Sequence, residues 1–121
     1  MTVDGGEEDA KAAQRAHWAA RAAAWDRTSH HGVSKADTYN ARLMDAAGVR
    51  AGQNVVDLAS GTGEPALTMV GRVGARGIVF ATDLVPEMLG SARRRAVEAK
   101  VANLRYVVSD LHDLAYRDAA F

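Results

Sequence analysis

The 121-residue chain has no cysteine, which excludes a disulfide framework and a thiolate metal centre. Its 15 basic and 15 acidic side chains cancel, so bulk charge gives it no hold on nucleic acid or an anionic membrane surface. No apolar run approaches the roughly 20 residues needed to span a bilayer. The acidic start at Asp4, Glu7, Glu8 and Asp9 is unlike a signal peptide. The four histidines are scattered except for His30-His31, and no metal site is predicted. Internal repeats and low-complexity linkers are absent as well. What remains is one domain at most, short for a complete α/β enzyme, with the cytoplasm as expected location and a small molecule as expected partner.

The segments that are present fall into two styles. From about Glu7 to Arg27 the chain is rich in alanine, with Trp18, Ala22 and Trp25 at helical spacing and Lys11, Arg15 and Arg21 between them. This predicts an amphipathic helix, broken by Thr28 to Val33. Ser34, with Asp37 three residues on, predicts a capped second helix. That helix carries Tyr39, Leu43, Met44 and Ala47 on one face and stops at Gly48. Beyond Gln53 the pattern alternates. Val55 to Leu58, Ile78 to Thr82 and Leu104 to Val108 read as buried strands. Between them lie a helix opened by Pro65, with Ala66, Leu67, Met69 and Val70 inward, and a helix opened by Pro86, with Met88, Leu89, Ala92, Ala96 and Ala99 inward. Arg93-Arg94-Arg95 reads as a solvated face. A β-α-β-α-β series calls for a parallel sheet with right-handed crossovers.

Each strand closes on an acid: Asp57, Asp83 and Asp110. The first runs into the turn Gly61-Thr62-Gly63 and then a helix start. Glycine suits such a turn because the backbone reaches positive φ and no Cβ blocks a ligand. The helix start is expected to present unpaired N–H groups to an anionic ligand. Asp83 lies 20 residues beyond Gly63, near the offset at which an acid after the second strand receives ribose hydroxyls. Gly61-x-Gly63-x-x-Ala66 on its own also fits a dinucleotide, so a nicotinamide oxidoreductase half-domain is one alternative. Asp57 weighs against it. A charge so deep in a strand needs donors, either loop N–H groups or a ligand ammonium, and it would repel a pyrophosphate.

The three stretches Val-Val-Asp-Leu-Ala-Ser-Gly-Thr-Gly, Ala-Thr-Asp-Leu-Val-Pro-Glu-Met-Leu and Ser-Asp-Leu-His-Asp-Leu-Ala-Tyr-Arg-Asp-Ala-Ala-Phe together resemble the class I S-adenosylmethionine-dependent methyltransferases. They look closest to the group similar to the ubiquinone and menaquinone biosynthesis methyltransferases. The resemblance covers residues 50 to 121. It implies a Rossmann-like three-layer α/β fold, here a β-α-β-α-β half preceded by two N-terminal helices, and S-adenosyl-L-methionine as cofactor. By the same resemblance residues 1–49 are a helical lid and residues 50–121 a cofactor-binding half-domain, incomplete at its C-terminus.

Carried over position by position, the family's cofactor loop falls on Asp57, Ala59, Ser60, Gly61 and Gly63, with the methionine end of the cofactor over them. Asp83 matches the ribose-binding acid, Leu84 and Met88 the apolar neighbours of adenine, and Asp110 with Leu111 the pair that reads the adenine edge. Ala59 stands where many members have the first glycine, and Glu64 where others have a third. The resemblance implies methyl transfer to a small-molecule acceptor; this chain alone is expected to be inactive, and to be either a truncated form of a longer enzyme or a fragment that self-associates along an exposed first strand. A non-catalytic module that kept the fold is the other alternative. No catalytic residue is assigned. His30 or His31 would serve if a base is needed; Trp18 and Trp25 are expected to pack the first helix onto the sheet, and Tyr39 to be a core or lid residue.

Overall fold

A computed structural model describes residues 4–29 and 33–121, with side chains placed for 5–29 and 38–121. His30 and His31, and the side chains of Ser34 and Asp37, lie outside the described residues. The element order is α1 (Asp4–Thr28), α2 (Val33–Ala46), β1 (Asn54–Leu58), α3 (Ala66–Val73), β2 (Ile78–Asp83), α4 (Pro86–Glu98) and β3 (Leu104–Val108). The strands form a parallel sheet in the order β1-β2-β3, as the alternating pattern predicts. Val55 pairs with Val79 and Asp57 with Ala81, while Thr82 pairs with Val107 and Asp83 with Val108. The three acids therefore reach the same C-terminal edge of the sheet, where α/β proteins bind ligands.

Both crossover helices cover one face. Val79 and Ala81 of β2 and Leu104 of β3 pack with Ala66, Met69 and Val73 of α3 and with Leu89 and Ala96 of α4. Met44 and Val49 complete this core, joined across the end of α2 by the Val49 N–H to Met44 C=O bond of 2.9 Å. That 6→1 bond with an apolar pair at its ends is the Schellman way of closing a helix. The opposite face has no helix among the described residues. Phe80 there meets Tyr116 and Phe121 edge-to-face, with centroids 5.9 and 5.4 Å away, and Tyr116 Oη bonds Thr82 Oγ1. The three-layer arrangement is thus represented by one helical layer, the sheet, and a C-terminal aromatic tail.

The N-terminal helices depart from expectation. α1 packs through Ala22 onto Val85 and Met88 at the start of α4, and not onto the sheet. Its Trp18 and Trp25 are 38% and 48% exposed. On α2 only Met44 of the expected face is buried; Tyr39 is 71% exposed. α1 lies against α4, and α2 against α3. Ala99, expected inward, is exposed beyond the end of α4.

Candidate functional site

A cavity of about 730 Å³ opens between the C-terminal ends of the strands and α1, within the range that holds a nucleoside-sized ligand. Ala59 and Gly61 from the first loop, Asp83, Leu84 and Met88 from the second crossover, and Asp110 and Leu111 after β3 line one wall. Seven of the ten residues picked out in the sequence therefore converge. The other wall belongs to α1: Glu7, Lys11, Gln14, Trp18 and Trp25 recur at helical spacing along one stripe.

Asp57, Ser60 and Gly63 sit behind the lining. Asp57 is buried, and its Oδ2 accepts from the Ala66 N–H at 3.0 Å, so its donor is the first turn of α3 and not the glycine loop. Burial raises its pKa to about 6, against the lowering effect of that bond, with Glu64 and Asp83 adding repulsion. Ser60 is buried with its hydroxyl unpaired. Gly63 has φ +115°, and a Cβ there would lie 2.9 Å from Leu67 Cδ1 and 3.1 Å from Ala92 Cβ. It lets α3 and α4 close on each other; it does not face a ligand. Gly61 is different: with φ +55°, a Cβ would approach only Trp25 Nε1, at 4.0 Å.

Asp83 organises the loop. Its Oδ2 accepts from the Gly61 N–H at 2.8 Å and its Oδ1 from the Val85 N–H at 2.9 Å. Each oxygen keeps a further lone pair for a diol, so loop support and ribose recognition are compatible in one carboxylate. Asp110 is likewise engaged. Oδ1 accepts from the His112 N–H at 2.9 Å and lies 3.0 Å from His112 Nδ1, while Oδ2 pairs with Lys11 Nζ at 2.8 Å. The His112 backbone N–H first, and Lys11 next, hold its carboxyl well below the usual range. Asp110 and, second, Glu7 hold the Lys11 ammonium above its own. Ser109 positions this turn: its N–H donates to Asp83 C=O at 3.0 Å and its Oγ accepts from the Ala115 N–H at 3.1 Å.

The two departures from the family pattern have structural readings. Ala59 adopts φ +55°, the left-handed region where glycine is at ease and alanine costs about 1 to 2 kcal/mol. Glu64 accepts from Thr68 Oγ1 at 2.7 Å and Asn40 Nδ2 at 3.1 Å, linking α2 to α3. Arg95, expected in solvent, donates to Thr62 C=O at 3.0 Å and lies 3.9 Å from Glu64, bracing the loop from behind. A model of the ubiE/COQ5 methyltransferase family matches residues 31–121, which takes in the sheet, all three acids and the glycine loop.

The chain belongs to the ubiE/COQ5 methyltransferase family. Relatives within reach of it include the ubiquinone/menaquinone biosynthesis C-methyltransferase UbiE of Xylella fastidiosa (strain M12), 38% identical over 80 residues, covering 65% of this chain and 32% of that protein. The demethylmenaquinone methyltransferase of Thermus thermophilus is 39% identical over 80 residues, covering 66% and 36%. This ubiE/COQ5 chain thus spans about a third of the length of the curated relatives it matches. Among solved structures, a SAM-dependent methyltransferase from Aquifex aeolicus superposes with TM-score 0.60 at 23% identity, over 65% of this chain and 42% of that one; this likeness supports the fold.

What sequence reasoning missed is the α1 wall and His112. The signal was there in the spacing of Glu7, Lys11, Gln14, Trp18 and Trp25, but an alanine-rich helix offers several stripes of equal merit. No helix among the described residues is long and apolar enough to cross a membrane.

Proposed function

We propose that this chain is the S-adenosylmethionine-binding part of a methyltransferase that acts on a small-molecule acceptor in the cytoplasm. The observation that carries the reading is the convergence of Gly61, Asp83 and Asp110 on one cavity at the C-terminal edge of the sheet, in a chain of the ubiE/COQ5 family. The cavity has room for a nucleoside with an amino-acid tail. Its donor set suits one too: Asp83 can accept from a ribose diol, Asp110 from an exocyclic amine, and Leu84, Met88 and Leu111 offer apolar surface to a base.

S-adenosylmethionine, when bound, supplies an electrophilic methyl group. The chain's own contribution is positioning: methyl transfer from a sulfonium is an in-line displacement that depends on alignment more than on acid or metal catalysis. Asp83 fixes the loop through Gly61, and Ser109 fixes the Asp110 turn. A nicotinamide dinucleotide suits the site less well, because Asp83 already occupies the Gly61 N–H that a pyrophosphate would need. The residue roles carried over from the family, residues 1–49 as a lid and residues 50–121 as the cofactor-binding unit belong to this reading. So does self-association along β1, whose neighbour in the sheet among the described residues is β2 alone.

Calorimetric titration with S-adenosylhomocysteine, NAD and NADP tests the proposal. Binding of the first and neither of the others is expected; binding of a nicotinamide cofactor alone would overturn it. Light scattering tests self-association, and a monodisperse, cooperatively folding monomer would remove that part.

A further inference from the structure

An amino-acid tail over Gly61 brings a carboxylate, and its hydrogen bonds must come from somewhere. Four backbone N–H groups in and around the loop that holds the tail are already committed. The Ser60 N–H donates to Thr82 C=O at 3.0 Å and the Gly63 N–H to Ser60 C=O at 3.0 Å. The Gly61 N–H is taken by Asp83 and the Ala66 N–H by Asp57. The nearby cations are committed as well. Lys11 is paired with Asp110 and Glu7 at the other end of the cavity, and Arg95 is bound to Thr62 C=O behind the loop.

Trp25 offers an uncommitted donor on the cavity side of the loop; the unpaired hydroxyl of Ser60 is buried behind the lining. Its indole nitrogen can only donate, and among the described residues it has no acceptor. Trp25 lines the cavity with Ala59 and Gly61, and Nε1 is the atom nearest to where a Gly61 side chain would begin, at 4.0 Å. Two contacts fix this placement. Trp18 meets Trp25 edge-on, with centroids 5.9 Å apart and planes at 81°. At the end of α1 Ser29 Oγ lies 3.3 Å from Thr62 Oγ1, tethering the helix to the same loop.

We propose that Trp25 donates its indole N–H to the carboxylate of the amino-acid tail of the ligand seated over Gly61. The assignment rests on the cofactor reading above and gives α1 a binding role: it supplies a donor on the cavity side of the glycine loop. A charged acceptor makes such a bond stronger than a neutral one.

The test is calorimetric titration of the wild-type chain and Trp25→Phe with S-adenosylhomocysteine and with 5′-methylthioadenosine, which has the nucleoside but no amino-acid tail. Trp25→Phe keeps an aromatic ring against Trp18 and removes the N–H. Its affinity for S-adenosylhomocysteine should fall about ten- to a hundredfold, the value of a hydrogen bond to a charged group, with methylthioadenosine unchanged. Equal loss for both ligands would make the ring an apolar wall, and no loss for either would leave it a bystander; each result overturns the assignment. Failure of the wild-type chain to bind either nucleoside would instead overturn the cofactor reading, and this assignment with it. If Trp25→Phe does not fold, the wild-type chain still decides. The methyl ester of S-adenosylhomocysteine, with no carboxylate, should bind it about tenfold more weakly, and equal binding overturns the proposal.

Discussion

The two walls of the cavity are built by different means. On the sheet wall, side-chain oxygens of Asp57 and Asp83 close onto backbone N–H groups of Ala66, Gly61 and Val85, so the site and the fold share their hydrogen bonds. On the α1 wall, side chains reach across from a helix whose packing on the rest rests on Ala22 against Val85 and Met88, with Lys11 paired to Asp110. A site of this kind can be altered on one wall without cost to folding and on the other cannot. Substitutions on the sheet wall should therefore register in stability first, and those on α1 in ligand affinity or local opening.

The largest effect separates the two glycines of the turn. Gly63→Ala must fit a Cβ 2.9 Å from Leu67 and 3.1 Å from Ala92 at φ +115°. Overpacking and backbone strain together should cost about 3 to 5 kcal/mol in urea unfolding. Gly61→Ala meets open space and should cost about 1 to 2 kcal/mol, while blocking the cavity beside Trp25. If both alanines destabilise equally, the distinction between a packing glycine and a cavity glycine is wrong. Next comes Asp83→Ala, which leaves two backbone donors without their carboxylate and should lower stability by about 3 kcal/mol. An acid that served only a ribose diol would on removal weaken cofactor binding and spare the fold; an unchanged unfolding midpoint would support that view.

Asp57 gives the sheet wall a pH signature. Its carboxyl titrates at about 6 in the folded chain against 3.8 as the ordinary value. Between those values the native state holds the proton more firmly than the unfolded state does. Its contribution to stability is thus present below about pH 4 and lost as pH rises through 6, a change of about 2 to 3 kcal/mol. Asp57→Asn should remove that fall, so the variant gains on the wild type between pH 4 and pH 7; parallel stability curves would count against a buried, desolvated Asp57. Ala59→Gly is a smaller change in the opposite direction. Relief of the left-handed alanine should stabilise the chain by about 1 kcal/mol, less the entropy that glycine brings to the unfolded state.

The sheet wall was largely legible in the sequence because its cues are local. An apolar run, an acid and a glycine turn each act within a few residues, and three such units in series leave a parallel sheet as the natural outcome. The rest depends on contacts between distant segments. Arg95 lies in a run of three arginines that looks solvent-facing, yet its partner is Thr62, 33 residues away. Tyr116 and Phe121 cover Phe80 across a comparable distance. On α1, alanines at almost every turn make the buried stripe and the cavity stripe look alike. Only docking on α4 distinguishes them, which is why the tryptophans were expected on the sheet and are found at the cavity.

The smallest effect on global stability tests the α1 wall itself. Lys11 joins the N-terminal half of α1 to the turn after β3 through Asp110, at 2.8 Å, while Glu7, one turn back, holds the same ammonium at 2.9 Å. An ion pair at a partly exposed site is screened by salt and adds little to overall folding. Lys11→Met should therefore leave the urea midpoint nearly unchanged. It should nevertheless speed amide exchange over residues 5–17 and leave exchange in β1, β2 and β3 as it was, because local opening and global unfolding are separate processes. Raising salt on the wild type should reproduce part of that change and have no further effect on the variant. If Lys11→Met instead shifted the midpoint and loosened the strands together, α1 would be as much a part of the folding core as Asp83, and the two walls would not differ in kind.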